Sequence, residues 1–350
     1  CVIDYGMTDG ANEINDYASE VYQPLNEPMF PERSGNTTMS DPDRWQPLSF
    51  EVFRDQSGNV FNQSTPEFVS PEWGSVLPFA LQDSDRTTYQ RDGAQWQVYH
   101  DPGSQALLKE EDQQAIFQWN FETVVHWSSH LDPDDGVLWD ISPAASGNLD
   151  RVNDYPVNQD QMTQFFDQIN GGDPSTGHAL NPVTGQPYQS QLVPRGDYTR
   201  VLAEFWADGP DSETPPGHWF TIFNHVTDDP LLEKRIAGTG ALVSDLEWDV
   251  KGYLVLGGAM HDSAVTAWGI KGYYDSSRPV SAIRHMAELG QRTYSSLPNY
   301  DPQGMGLVDG LIELVESGDA LAGENDEHVG KLKLFTWRGP DFVEDPESDY

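Results

Sequence analysis

The chain has 350 residues, 37% of them hydrophobic, and its 57 acidic against 19 basic residues give a formal net charge of -38 at pH 7. This length is enough for one large domain or two ordinary domains with a hydrophobic core. So acidic a surface repels phosphate backbones, which argues against a nucleic-acid partner. The sequence also lacks the apolar run of about 18 residues that a membrane-spanning helix requires.

The N-terminal segment CVIDYGMTDG predicts the last turn of a helix that ends at Gly6. Cys1 is the only cysteine, so no internal disulfide can form. A lipidated Cys1 is the alternative, but no flexible tether follows it. Because there is no initiator Met, we expect this chain to begin inside a longer protein.

Residues 1–105 predict an irregular, loop-rich layer. Pro, Gly, Asn and Asp repeatedly interrupt short aromatic runs, which disfavours long helices. The segments 48–53 and 95–100 have the composition of short strands. The many Trp and Phe residues indicate a packed layer and not a linker.

Residues 106–350 change to helical periodicity, and we expect them to form one portion of a helical bundle. Helices are predicted at 111–131, 158–171, 197–209, 215–229, 231–274, 279–289 and 309–317, and a strand at 331–339. Asp197 is the expected cap of its helix, and the Gly- and Ala-rich stretch 252–275 predicts a central, buried helix. The alternation of a doubly wound sheet is absent, so the fold class predicted is mainly α.

Two cations stand out in the segment WGIKGYYDSSRP (268–279). Residues 250–292 contain five basic and three acidic residues, a local charge of +2 in a chain of -38. Lys271 is expected in the last turns of one helix, with Arg278 at the bend and Pro279 opening the next helix. Two cations converging near a helix N-terminus form an anion site, although pairing with acidic groups elsewhere is the alternative.

The pattern of Lys271, six residues, then Arg278 and Pro279 resembles the first signature of the type 2 phosphatidic acid phosphatase superfamily, which includes the vanadium-dependent haloperoxidases. Trp268, three residues before the lysine, resembles the haloperoxidase version. Residues 202–219 and the loop-rich first half are similar to regions upstream of that signature in large bacterial haloperoxidase-like proteins. The resemblance therefore covers most of the chain and implies a haloperoxidase- and phosphatase-like helical bundle, present here in part.

The resemblance implies a site for vanadate, or for phosphate in the same pocket, lined by Lys271, Arg278 and Trp268. Lys271 would polarise an oxygen of the bound group and Arg278 would neutralise its charge. The expected activity is oxidation of halide by hydrogen peroxide. A phosphatase with a His nucleophile, and a non-catalytic secreted or surface protein of the same fold, remain the alternatives.

The sequence departs from the family pattern after Pro279. The family carries a Ser-Gly-His motif and a later Arg followed by His, whereas only His285 and His328 follow here, and neither has that context. Two partial matches to Ser-Gly-His, at 174–178 and 215–218, precede the signature. They are better interpreted as a turn and a helix start. We expect a downstream segment or a second chain to complete the site. Acidity and resemblance together favour an extracellular or periplasmic protein.

Other polar groups have weaker signals. Asp132, Asp134 and Asp135 surround Gly136 as in part of a Ca²⁺ loop, with a capping turn as the alternative. Three more sets were considered against purely structural roles: His126 with His130 as metal ligands, Glu204 and Asp208 with His218 as an acid–base group, and His261 with Asp262 as support for Lys271.

Overall fold

The computed structural model describes residues 2–33, 38–55, 59–145, 177–206 and 213–336. Within these ranges the chain forms six helices and four two-stranded antiparallel sheets. The prediction of a mainly α fold is therefore only partly confirmed, because many of the described residues are in loops and short hairpins. The helix expected at 158–171 lies outside the described residues, as does most of the motif at 174–178.

Two compact units are present: residues 1–105 with 208–281, and residues 106–207 with 282–350. The first unit contains α1 (Val2–Gly6), α4 (Pro215–Thr227) and α5 (Asp245–Tyr274). It also contains two hairpins, β1 (Phe50–Arg54) with β2 (Val60–Ser64) and β3 (Arg86–Arg91) with β4 (Ala94–Tyr99). The strands expected at 48–53 and 95–100 are confirmed as β1 and β4, and the helix end at Gly6 is confirmed by α1.

The second unit contains α2 (Gln114–Ser129), α3 (Arg195–Trp206) and most of α6 (Pro279–Leu289). Its two sheets pair β5 (Leu138–Asp140) with β6 (Leu192–Pro194) and β7 (Ile312–Leu314) with β8 (Leu332–Leu334). Its core consists of apolar side chains from α2, α6, β7 and the loops beside them: Leu108, Phe117, Val125, Ala282, Met286, Met305 and Ile312.

Three local predictions were wrong. The helix expected at 309–317 is instead strand β7, because Ile312 pairs with Leu334 of β8 after a turn at Gly310, whose φ is +75°. Of the one or two long helices expected over 231–274, the structure has one, which begins only at 245, where the Ser244 hydroxyl accepts a hydrogen bond from the backbone N–H of Glu247 at 3.2 Å. Asp197 lies in the first turn of α3, which begins at Arg195, and is not its cap.

The small residues near the C-terminal end of α5 lie against loop backbone, whereas Gly252 lies against the Phe223 ring of α4. A Cβ at Gly272 would overlap the carbonyl oxygen of Pro71, and the Cβ positions of Gly269 and Gly74 face each other's Cα at 2.9–3.0 Å. The expectation of a central, buried helix is met only by part of α5, whose buried residues are Gly258, Val265, Gly269 and Gly272. Among the described residues, several apolar side chains of the N-terminal half of α5 are exposed: Leu246, Val250, Leu254 and Val255.

None of the helices in the described ranges combines the length and the apolar character that crossing a bilayer requires.

The close approach of loop and helix can be tested with two alanine substitutions in α5. Gly272→Ala should lower the free energy of unfolding by about 2 kcal/mol or more, because the new methyl group displaces rigid backbone. Gly257→Ala is the matched control, since its Cβ would meet only Phe220 at 3.8 Å. The control should raise stability by about 0.5–1 kcal/mol through helix propensity. Equal effects of both substitutions in urea unfolding would contradict this packing.

Candidate oxyanion site

Lys271 and Arg278 line the same cavity in the first unit. Lys271 lies in the last turn of α5, and Arg278 immediately precedes Pro279, the first residue of α6. The cavity has a volume of about 400 Å³, and its remaining walls come from two short segments and the end of α5: Phe68, Pro102, Gly103, Ser104, Gln105, Ile270, Tyr274, Ser276 and Ser277. The structure thus brings together the two cations that the sequence singled out.

Neither cation is neutralised by a carboxylate within the described part of the chain. Both side chains are exposed to solvent at the cavity. Partial burial, and then the positive charge of Arg278, lower the pKa of Lys271 below its ordinary value. Two like charges held close together without a counter-ion repel each other, and a bound anion would relieve that repulsion. The arrangement therefore favours an anionic ligand.

Trp268 supports Lys271 from the side. The Lys271 ammonium lies 4.3 Å from the centroid of the Trp268 ring, which is a cation–π contact. Trp268 in turn packs against Trp73, with ring centroids 6.4 Å apart. Trp268 is not among the described residues that line the cavity. Trp268 thus positions the ammonium group of Lys271.

A buried carboxylate fixes the turn between the two cations. Asp275 caps α5 in the left-handed conformation, with a φ of 51°, and its side chain is fully buried. It accepts hydrogen bonds from the Tyr22 hydroxyl at 2.6 Å and from Arg44 Nε at 2.8 Å, and Arg44 Nη2 lies 2.7 Å away. Burial raises the pKa of Asp275, whereas the hydrogen bonds from Tyr22 and Arg44 favour the carboxylate. The backbone of Asp275 is bonded as well, because the Trp45 N–H donates to the Asp275 carbonyl oxygen at 2.8 Å.

Arg91 stabilises the end of α5. Its guanidinium donates to the carbonyl oxygens of Gly272 and Tyr273, which have no partner within the helix. The same guanidinium lies 4.1 Å from the centroid of the Trp96 ring. A cation at a helix C-terminus also complements the helix dipole. The last turn of α5, which carries Lys271, is therefore held in place from outside the helix.

The loop that forms the far wall of the cavity is tied to α5 through Asp101. The Asp101 carboxylate accepts hydrogen bonds from the hydroxyls of Tyr274, at 2.6 Å, and Tyr89, and from the N–H of Gly103 at 2.9 Å. Burial would raise the pKa of Asp101, but these hydrogen bonds outweigh it and lower the pKa. Burial and the bond to Asp101 raise the pKa of Tyr274.

The aspartates considered for Ca²⁺ have other partners. Asp132 accepts from the N–H of Asp134 at 2.9 Å, and Asp135 accepts from the N–H of Val137 at 2.8 Å. Asp135 also forms an ion pair with Arg195 at 2.7 Å. No cluster of three or more metal-binding side chains occurs in the described ranges. These hydrogen bonds are those of tight turns at Asp132 and Asp135, and a Ca²⁺ ion at these aspartates stays a prediction.

Three histidines that the sequence analysis singled out lie beside aromatic or acidic side chains of the fold. His130 is buried and packs edge to face against Trp139. Burial lowers the pKa of His126, against the opposing charge of Glu122. His218 Nδ1 lies 3.4 Å from Glu213, which the sequence analysis did not single out. Asp208 lies outside the described residues.

His261 and Asp262 secure a loop on α5. His261 Nε2 lies 2.9 Å from the Leu77 carbonyl oxygen, and Asp262 accepts three backbone N–H groups at 2.6–3.1 Å, from Phe79, Ala80 and Leu81. These contacts fix the loop to the helix that carries Lys271. They are structural and lie outside the cavity wall.

Comparison with protein-family models gives a match in the middle of the chain. Residues 251–301 match the family model of the VCPO second helical-bundle domain. The match includes Lys271, Arg278 and Pro279, and it supports a relationship to the vanadium haloperoxidases. No curated protein and no solved structure matches the chain.

Replacing the buried carboxylate tests its role directly. Asp275→Asn keeps the size and tolerates the left-handed backbone, but it leaves Arg44 without a charged partner. We expect the free energy of unfolding to fall by about 3–5 kcal/mol. Asp92→Asn is the matched control, because Asp92 is also left-handed, at a φ of 55°, and pairs with Arg91 while 64% exposed. The control should cost less than about 1 kcal/mol; a similar cost for both would refute a special role for Asp275.

Proposed function

We propose that Lys271 and Arg278 form the oxyanion-binding part of a vanadium haloperoxidase-type site. The observation that carries this proposal is the shared cavity, in which two cations lie without a carboxylate partner among the described residues. The family match over 251–301 supports the identity of the anion class. The chain as a whole is strongly acidic, so an uncompensated cationic pair is a local exception.

The residues present fit a tetrahedral oxyanion such as vanadate or phosphate. The cavity of about 400 Å³ is large for such an ion and leaves room for a small second reactant. A guanidinium presents a planar fork that suits two oxygens, whereas an ammonium acts as a compact charge on a third. The positive end of the α6 dipole lies at Pro279, next to Arg278, and adds to the field.

The side chains of this chain would bind and orient the anion and lower the cost of negative charge developing on it. Arg278 would hold two oxygens, and Lys271 would be kept in place by the Trp268 ring. Vanadate, when bound in such a site, supplies the oxidation of halide by hydrogen peroxide. No histidine lines the cavity in the described residues, so the chemistry derived from them is binding and charge stabilisation.

Vanadate binding to the chain tests the proposal. Lys271→Met should weaken orthovanadate binding about 10- to 100-fold, as expected for the loss of one charge-assisted hydrogen bond. Calorimetric titration measures the affinity, and circular dichroism checks that the fold is retained. Lys251→Met is the matched control, because Lys251 is on the same helix but is exposed and paired with Glu247.

The outcomes separate the candidate activities. Bromination that requires both vanadate and peroxide would support the haloperoxidase-type function. Release of phosphate from a phosphomonoester without vanadate would instead identify a phosphatase on the same cations. Vanadate affinity that is unchanged by Lys271→Met, or lowered equally by Lys251→Met, would contradict the proposed site.

A further inference from the structure

A second cavity in the first unit has a different chemical character. It has a volume of about 370 Å³ and is lined by three aromatic side chains, four prolines and two glutamates, with no positively charged residue in the described wall. Its aromatic residues are Tyr22, Trp45 and Phe68. Phe68 also lines the oxyanion cavity.

The three rings form one cluster. Phe68 lies 5.0 Å from both Tyr22 and Trp45, measured between ring centroids, and Tyr22 lies 6.3 Å from Trp45. Their planes are inclined to one another by 54–70°, so the rings cannot all stack face to face. Trp45 and Phe68 are only partly buried. Their electron-rich surfaces are therefore accessible to a ligand, and such surfaces attract cations.

Two carboxylates add a formal negative charge. Glu27 and Glu67 line the same cavity, and both are exposed. Within the described ranges, neither carboxylate has a hydrogen-bond or ion-pair partner. The surrounding chain carries a net charge of -38, so the field of the whole protein also draws cations toward this cavity.

The aromatic wall is fixed before any ligand arrives. The Tyr22 hydroxyl is bonded to buried Asp275 at 2.6 Å, and the backbone N–H of Trp45 is bonded to the carbonyl of the same residue at 2.8 Å. Two of the three aromatic residues are thus anchored to one buried residue. A site that is already ordered loses less conformational freedom on binding.

We propose that this cavity binds a small organic ammonium ion. Alkylated ammonium groups are large, weakly hydrated cations, which suit an aromatic wall better than a bare metal ion does. Glu27 and Glu67 would compensate the charge, and the prolines would contact the alkyl groups. This inference does not depend on the oxyanion site, because Phe68 is the only residue that lines both cavities in the described part of the chain.

Choline and its uncharged carbon isostere, 3,3-dimethyl-1-butanol, test the proposal on the whole chain. The two molecules have nearly the same shape, so their difference isolates the charge. We expect saturable binding of choline at one site per chain in calorimetry, and affinity for the isostere at least about 10-fold weaker.

Paired variants identify the cavity. Glu27→Gln with Glu67→Gln removes both charges at exposed positions without changing the shape of the wall, and should weaken choline binding at least about 3-fold. Glu110→Gln with Glu111→Gln is the matched control, since these two exposed glutamates do not line the cavity. The control should leave choline affinity unchanged while altering the net charge of the chain by the same amount.

Co-sedimentation with phosphatidylcholine vesicles distinguishes the source of the ammonium group. Sedimentation that is lost in the Glu27→Gln, Glu67→Gln variant would indicate a lipid headgroup, and choline binding without sedimentation would indicate a free compound; either result supports the site. Equal binding of choline and the isostere, equal weakening by the control variant, or no saturable binding of choline would overturn the proposal.

Discussion

A single buried carboxylate holds the functional part of this structure together. Asp275 lies in the turn between Lys271 and Arg278 and binds Tyr22, Arg44 and the backbone of Trp45 at once. Because its side chain is fully buried, an unpaired charge there would be costly, and its partners are accordingly constrained. The turn is thereby attached to the N-proximal layer, which otherwise consists of loops and hairpins. The relative position of the two cations depends on this attachment.

The partners of three carboxylates explain how a strongly acidic chain can contain an anion site. Acidic side chains near Lys271 and Arg278 are engaged elsewhere: Asp275 with Arg44, Asp262 with backbone N–H groups, and Asp101 with two tyrosines. Each of these carboxylates accepts hydrogen bonds from other groups of the fold. It is therefore held away from the two cations. The segment 250–292 also contains more basic than acidic residues, so the two cations lie in a locally basic part of an acidic chain.

Prediction from the sequence succeeded where local chemistry is decisive. Three features of the sequence depend only on residues within a few helical turns of one another. They are the apolar period of α2, the prolines that begin α4 and α6, and the spacing of Lys271 and Arg278. It failed where distant pairing decides. Ile312 is in a strand because Leu334 lies beside it. The start of α5 was missed for a local reason, because the Ser244 cap begins the helix at Asp245 whereas periodicity alone extended it back to residue 231. The anchors of Asp275 were not found, because Arg44 and Tyr22 are 231 and 253 positions away in the chain.

We propose above all that Lys271 and Arg278 bind one oxyanion together. A crystal structure of the chain with tungstate, a tetrahedral oxyanion with strong anomalous scattering, tests it most directly. We expect one anomalous peak within hydrogen-bond distance of both the Lys271 ammonium and the Arg278 guanidinium. A cavity without such a peak, with each cation turned toward a carboxylate of its own, would contradict it.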